Sequence, residues 1–267
     1  MMKIGFIGLG NMGGSLARLV AQDERYRSEL LLANRSRDKA ERIAAEVGGQ
    51  SVSNAEVFAQ AEVIFLGIKP AQFADLLADY QEVLEKRESL LLVSMAAGLT
   101  LERLEKMTPS HHRWIRIMPN TPVAVGEGVI SYALSQRAKR ADEDLLRELL
   151  SSAGLLLKLD EKQLDAATAL AGCGPAFVYL FIEALADAGV RAGLSRDISL
   201  ELANQTLLGA AKLSQISGQH PAQLKDQVCS PAGSTIAGVA SLEENAFRGT
   251  VMAAVQAAYK RTQELGK

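Results

Sequence analysis

Cysteine, histidine and concentrated positive charge are all scarce in this chain of 267 residues, and each scarcity removes a class of chemistry. The two cysteines, Cys173 and Cys229, stand far apart without CxxC or histidine spacing, so neither a zinc site nor a dithiol pair is indicated. They are expected as reduced, buried thiols. Of the three histidines, His111 and His112 are expected in solvent and His220, ahead of Pro221, at a helix start. With a net charge of −2 there is no basic stripe, arginine-and-aromatic platform or polybasic tail. That argues against nucleic acid and against an anionic membrane surface as partners. Long apolar runs are missing too, the longest being about strand length, and Lys3 leads into a glycine loop rather than a signal-peptide segment. A soluble cytoplasmic protein is the expectation. What remains is a chain of 48% hydrophobic residues, enough for a sizeable core in one large or two moderate domains.

The first twenty residues organise the rest. Lys3-Ile4-Gly5-Phe6-Ile7 runs into Gly8-Leu9-Gly10-Asn11-Met12-Gly13, and an apolar stripe follows at Met12, Leu16, Leu19 and Val20. This is strand, glycine loop, helix. Gly8 permits the tight turn, Gly10 lets the backbone approach a pyrophosphate, and Gly13 allows close helix–strand packing, while the free N–H groups at the helix start face the anion. A GxGxxG motif is weak by itself, but this context is the one it requires for a dinucleotide.

Strand and helix then alternate. Apolar β runs occur at Leu30 to Ala33, near Ser51-Val52, at Glu62 to Ile68 and at Leu90 to Ser94. Ser36 or Asp38 could cap a helix ended by Gly48-Gly49, Asn54 reads as the N-cap of a short helix, and Thr100 opens another. Strands at Trp114 to Met118 and Gly128 to Ala133, a helix over Asp142 to Ser151 and a strand at Leu155 to Leu159 complete an α/β, doubly wound, mainly parallel sheet. From about Asp160 the period becomes helical, with helices expected at Pro175 onward, Ser195 to Ser217, Pro221 to Val228, Thr235 to Leu242 and Asn245 to Leu265. The division is therefore 1–160 for the dinucleotide and 161–267 for an all-helical second domain. Its dense Ala and Gly allow close helix approach, and its apolar girth predicts burial between subunits, with a monomeric bundle as the alternative.

At the end of the second strand, Asn34-Arg35-Ser36 stands where an NAD site usually places Asp or Glu. A guanidinium and a hydroxyl suit a 2′-phosphate, so NADPH is preferred and NADH is the weaker cofactor; the alternative is a solvated Arg35 and a capping Ser36. Asn54, Gly67-Ile68-Lys69-Pro70 and Ala97 lie at or beyond carboxyl ends of strands, where this architecture binds ligands. A second donor-rich stretch is Asp226-Gln227-Val228-Cys229-Ser230-Pro231-Ala232-Gly233-Ser234-Thr235. Small and hydroxyl residues opening a helix gather N–H and O–H donors around one point, which suits a carboxylate, though a plain interhelical turn fits as well. Ala171-Gly172-Cys173-Gly174-Pro175 reads as a similar loop.

Six motifs together, Gly8 to Gly13, Ile68-Lys69-Pro70, Ser94 to Gly98, Met118-Pro119-Asn120-Thr121-Pro122, Gly172 to Ala176 and Ser230 to Thr235, resemble the pyrroline-5-carboxylate reductase family in order and over nearly the whole chain. The resemblance implies a Rossmann domain followed by a helical domain interlocked in a homodimer, with further assembly into decamers. It implies reduction of L-1-pyrroline-5-carboxylate, a small-molecule substrate, to L-proline with NAD(P)H, the last step of proline synthesis. Carried over by position, it assigns Gly8, Leu9, Gly10, Asn11, Met12, Gly13, Asn34, Arg35, Ser36, Asn54, Gly67, Ile68, Lys69, Pro70 and Ala97 to the cofactor. Gln227, Ser230, Gly233, Ser234 and Thr235 are the substrate candidates, with Thr235 the catalytic one. The chain departs at Ala232 and Ser234, where the family commonly has Gly and Thr or Ala, and at Cys173, where Ser is common.

A cyclic imine protonated near neutral pH takes hydride directly, so no strong general acid is needed and orientation dominates. This fits pocket motifs without histidine or a carboxylate pair. On this reading the Gly233 to Thr235 amides hold the carboxylate, the Thr235 hydroxyl bonds the ring nitrogen, and Lys69 positions the cofactor. Among rivals, a 3-hydroxyacid dehydrogenase would need a lysine within Phe177 to Ala188, where none occurs. Ketol-acid reductoisomerase would need clustered carboxylates rather than the scattered Glu183 and Asp187. A non-catalytic NADPH-binding protein would lack the Ser230 to Thr235 donors.

Overall fold

The computed structural model describes residues 2–265. Its N-terminal part alternates strand and helix: β1 (Ile4–Ile7), α1 (Asn11–Val20), α2 (Glu24–Arg27), β2 (Leu30–Ala33), α3 (Arg37–Val47), β3 (Gln50–Ser51), α4 (Asn54–Gln60) and β4 (Val63–Leu66). There follow α5 (Phe73–Asp79), α6 (Gln81–Lys86), β5 (Leu91–Ser94), α7 (Leu101–Lys106), β6 (Arg113–Pro119), β7 (Gly128–Leu134), α8 (Arg140–Leu149) and β8 (Gly154–Lys158). The strands form one sheet in the order β3-β2-β1-β4-β5-β6-β7-β8, with β1 flanked by β2 on one side and β4 on the other. Only the β6–β7 pair is antiparallel.

The central strands are apolar runs because both faces are covered. Alternate residues serve two cores: Ile4, Phe6, Leu30, Leu32, Val63 and Phe65 pack with side chains of α1, α3 and α8. Ile7, Leu31, Ala33, Ile64 and Leu66 face α4, α5 and α7. Phe6 and Phe65 stack across the sheet at 4.7 Å between ring centroids.

Several local readings needed correction. The short helix α4 is capped by Ser53, which forms a reciprocal pair with Glu56, and Asn54 is its first helical residue. Either side chain can cap, and Glu56 decides the register by reaching back to the Ser53 N–H. The helix α8 and strand β8 begin one to two residues earlier than their patterns suggest, the usual uncertainty of element ends. His111 is exposed, but His112 is only 1% exposed, held between the backbones of Leu84 and Leu90. Cys173 and Cys229 are free thiols and half-buried rather than buried.

From Glu161 the chain is helical: a turn at Glu161–Gln163, α9 (Leu164–Ala167), a π-turn over Thr168–Gly172, α10 (Gly174–Arg191), α11 (Arg196–Ser217), α12 (Pro221–Gln227), α13 (Ser234–Glu244) and α14 (Phe247–Leu265). The expected loop at 171–175 is thus helical, its Gly and Pro tolerated because Gly174 and Pro175 open α10. The run 161–191 is also long and apolar enough, by length and composition, to cross a membrane. Interspersed Ala and Gly break its strongly apolar runs while leaving its mean character apolar. The chain divides into two compact units, one reaching Cys173 and including the segment from Ala258, the other Gly174–Ala257. Within the second, α10 and α11 approach closely enough that a Cβ on Gly189 would lie 2.7 Å from the Ser199 hydroxyl. Apolar side chains of this unit, Val178, Tyr179, Leu180, Leu208 and Ile216 among them, remain exposed in the single chain.

Candidate functional site

The sheet order changes direction at β1, and the loops leaving β1 and β4 lie side by side there. In an open parallel sheet this switch point is where a crevice forms beyond the carboxyl ends of the strands. Gly8 has φ +90°, and its N–H donates to the Ala33 carbonyl at 2.9 Å. A Cβ there would lie 2.6 Å from the Gly67 carbonyl oxygen, and one on Gly67 would lie 2.6 Å from that of Gly8. A Cβ on Gly13 would collide with the Gly8 carbonyl oxygen as α1 starts. These glycines therefore interlock backbone on backbone. Gly10 differs, since no atom lies within 4 Å of the place a Cβ would take. The open side of the loop is at Gly10, where the sequence reading places a pyrophosphate.

Asn34 does more than follow β2. Its Oδ1 accepts from the Leu9 N–H at 3.0 Å and its Nδ2 donates to the Ser36 carbonyl at 3.1 Å, so it braces the glycine loop against the β2–α3 turn. Gly10 ends in an extended conformation, no side chain caps α1, and no acidic residue sits in its first turn. The exposed donors and partial positive charge at this helix start suit an anionic phosphate. These features are what a dinucleotide requires, and the residues present fit one. Arg35 and Ser36 are exposed beside Asn34, Lys69 and Pro70 are exposed beyond β4, and Asn54, Gly67, Ile68 and Ala97 are half-buried at the same edge. Gly8, Leu9, Gly10, Asn11, Met12 and Gly13 complete the group, so every cofactor candidate lies in the first unit, on the turns that follow β1 to β5 or in the first turn of α1 or α4.

The sequence reading passed over one part of this edge. A depression of about 320 Å³ adjoins Gly10 and Asn11 and is also lined by Ser15 and Arg18 of α1 and by Lys39 and Arg42 of α3. The i, i+3 spacing of Lys39 and Arg42 and the i, i+4, i+7 spacing of Asn11, Ser15 and Arg18 were the available signals.

The second donor cluster lies wholly in the other unit. Gly233 is extended at the start of α13, its N–H donates to the Ser230 carbonyl at 3.0 Å, and no acidic residue occupies the first turn. Ser230, Ser234 and Thr235 are exposed, and among the described residues none of their hydroxyls has a hydrogen-bond partner. Gln227 is exposed and donates to the Gln219 side-chain oxygen at 2.9 Å. Ala232 adopts φ +55°, between Pro231 and Gly233. With Pro at the second and a left-handed residue at the third position, Ser230 to Gly233 has the arrangement of a type II turn, which prefers Gly where Ala232 stands.

Comparison with known proteins shows the family. Residues 161–265 match the family described as pyrroline-5-carboxylate reductase dimerisation, and residues 3–98 match the one described as NADP oxidoreductase, coenzyme F420-dependent. The chain is 45% identical to the pyrroline-5-carboxylate reductase of Pisum sativum, over 98% of this chain and 95% of that protein. The crystal structure of the Plasmodium falciparum pyrroline carboxylate reductase with NADP bound superposes with a TM-score of 0.89 at 37% identity, covering 100% of this chain and 98% of the other. That of a Coxiella burnetii pyrroline-5-carboxylate reductase gives 0.90 at 30% identity, covering 100% and 99%.

Proposed function

Since the chain belongs to the pyrroline-5-carboxylate reductase family, we infer that it reduces the cyclic imine L-1-pyrroline-5-carboxylate to L-proline with NADPH, the last step of proline biosynthesis. The observation that carries this reading is the family likeness, which runs over nearly the full length of the chain. When bound, the nicotinamide cofactor supplies the hydride. Gly8 to Gly13 hold its phosphates, Asn34 to Ser36 its adenosine end, and Asn54, Gly67 to Pro70 and Ala97 complete the binding edge. The substrate carboxylate sits on the N–H groups at Ser234 and Thr235, with Gln227 and the Ser230 hydroxyl beside it, where the α13 start favours negative charge; the Gly233 N–H, expected to join them, is taken by the Ser230 carbonyl, and Gly233 shapes the turn instead.

The Thr235 hydroxyl bonds the ring nitrogen. A protonated cyclic imine already carries the proton that its product amine keeps, so reduction of the ring carbon leaves no charge that a side-chain acid must neutralise. The work of the site is to fix two reactants at contact distance and to steady the nitrogen as its charge changes. In this division residues 1–160 hold the cofactor and 161–267 the substrate. The exposed apolar faces of α10 and α11 close against a second copy in a homodimer, which can assemble further to a decamer. The apolar run 161–191 is on this reading a subunit contact in a soluble cytoplasmic enzyme.

The deciding experiment follows loss of NADPH absorbance with pyrroline-5-carboxylate, alongside NADH. Proline formation with a higher kcat/KM for NADPH is expected. No turnover with either cofactor overturns the activity, and a higher kcat/KM with NADH overturns the cofactor preference. Light scattering giving a monomer at micromolar concentration overturns the dimer.

A further inference from the structure

We propose that Lys39 and Arg42 grip the 2′-phosphate that distinguishes NADPH from NADH, a role that rests on the NADPH reading above. The sequence points to Arg35 for this contact, but Arg35 does not line the depression beside Gly10. Lys39 and Arg42 instead project from the first two turns of α3 into the depression that Gly10 and Asn11 border.

Charge accounting supports the assignment. Three cations line the depression and no acidic side chain does. Arg18 is already committed, donating to both carboxylate oxygens of Glu46 at 2.6 and 2.7 Å. Glu46 also feels the charge of Arg42 and is held below the usual carboxylate range, chiefly by its hydrogen bonds with Arg18. Among the described residues neither Lys39 nor Arg42 makes a hydrogen bond or an ion pair. Counting Arg18, Lys39, Arg42 and Glu46, the neighbourhood keeps a net charge of +2. Two uncommitted cations one helical turn apart, facing an uncapped helix start without an acidic residue, match a dianionic phosphate monoester. The nicotinamide dinucleotides differ by one such group. Arg42 adds a planar donor fork and Lys39 a point charge, the combination that binds phosphate by geometry and by field together.

The pyrophosphate is the competing occupant, and it is common to both cofactors. Isothermal titration calorimetry of the intact protein with NADP+ and with NAD+ separates the two. Wild-type protein should bind NADP+ more tightly. Lys39→Ala and Arg42→Ala should each weaken NADP+ roughly tenfold and the double variant on the order of a hundredfold, from the usual strength of charge-assisted hydrogen bonds, with NAD+ affinity unchanged. Lys39 is half-buried and Arg42 exposed, and an unchanged thermal midpoint will confirm that the variants fold. Equal weakening of both dinucleotides assigns the pair to the pyrophosphate and overturns the proposal. Unchanged NADP+ affinity overturns it too. Wild-type protein that binds NAD+ as tightly as NADP+ removes the NADPH reading and the proposal with it.

Discussion

The side-chain amide of Asn120 donates to the Ala171 carbonyl at 3.0 Å while its own oxygen accepts from the Val129 N–H at 2.8 Å. Asn120 is only 7% exposed, so both ends of the amide are satisfied away from water. One partner is a carbonyl and the other an N–H, which fixes the way the amide points. The Ala171 carbonyl belongs to the π-turn, where the Cys173 N–H reaches back five residues to Thr168 at 3.0 Å. Such a turn interrupts the regular helical ladder, and Asn120 supplies a donor to one of its carbonyls. Two stretches that look unrelated in sequence, Met118 to Pro122 and the π-turn residue Ala171, are thus joined by a hydrogen bond.

Asn120→Asp keeps the shape but sets a carboxylate oxygen against the Ala171 carbonyl. It should cost about 1–3 kcal/mol, the penalty for an unsatisfied buried polar group. Urea unfolding with an unchanged midpoint would show that the pairing contributes nothing. Asn120→Ser, which keeps a donor, should lose less.

Ala232 makes an opposite prediction. Its φ of +55° lies in the region an L-side chain enters at a cost of roughly 1–2 kcal/mol and Gly enters freely. Ala232→Gly releases that strain but gives the unfolded chain more freedom, so the net gain should be about 0.5–1 kcal/mol. Thermal unfolding reads it as a rise in Tm. A fall in Tm would mean that the turn does not stand in the left-handed conformation in solution.

His112 should make the protein sensitive to acid. The neutral ring accepts at Nδ1 from the Leu90 N–H at 3.1 Å and donates from Nε2 to the Leu84 carbonyl at 3.0 Å. A second proton would set an N–H against the Leu90 N–H. Burial, and then the charge of His111 beside it, push the His112 pKa down from its usual 6.5 to about 4. The unfolded chain binds this proton near pH 6.5 and the folded one resists it until about 4. The contribution is therefore whole above pH 6.5 and lost as pH falls to 4, about 3 kcal/mol in all. His112→Gln should be less stable at pH 7 but flatter between pH 6.5 and 4. Parallel stability curves for the two proteins across that interval would exclude His112 as the source.

The parts of the fold legible in the sequence were those where local and global preferences agree. Ile4 to Ile7, Leu30 to Ala33 and Leu91 to Ser94 are buried throughout and almost wholly apolar because helices cover both faces, and Gly8, Gly10 and Gly13 occupy the three places where backbone must turn, stay open or touch backbone. What was not legible depends on neighbours distant in the chain. His112 looks like a surface residue until α6 supplies Leu84 and the turn ahead of β5 supplies Leu90. The Gly-Cys-Gly-Pro stretch reads as a break, but the Cys173 N–H reaches back to Thr168 in a π-turn and the helical path continues, with Asn120 bonding the Ala171 carbonyl just ahead of it. Lys39 and Arg42 are ordinary helix-surface cations until α3 lies beside the start of α1. The apolar faces of α10 and α11 were legible as faces, and a single chain leaves them exposed.

Thr235 carries the most direct test of the chemistry. It is the second residue of α13, exposed, with no acidic neighbour in its turn and no hydroxyl partner among the described residues. A hydroxyl left without a protein partner at a helix start is available to a ligand. If it bonds the imine nitrogen, the bond must strengthen as the nitrogen changes from a charged imine to an amine, so its loss falls on kcat. A hydrogen bond to the increasingly neutral nitrogen, about 0.5–1.5 kcal/mol, corresponds to a roughly two- to tenfold drop in Thr235→Ala. The KM for NADPH should stay as in wild type, since every cofactor candidate lies in the other unit. Thr235→Ser retains the oxygen and should recover much of the rate, which packing of the lost methyl group would not do. Turnover of Thr235→Ala equal to wild type would remove this hydroxyl from the reaction and leave substrate orientation to the amides of Ser234 and residue 235 alone.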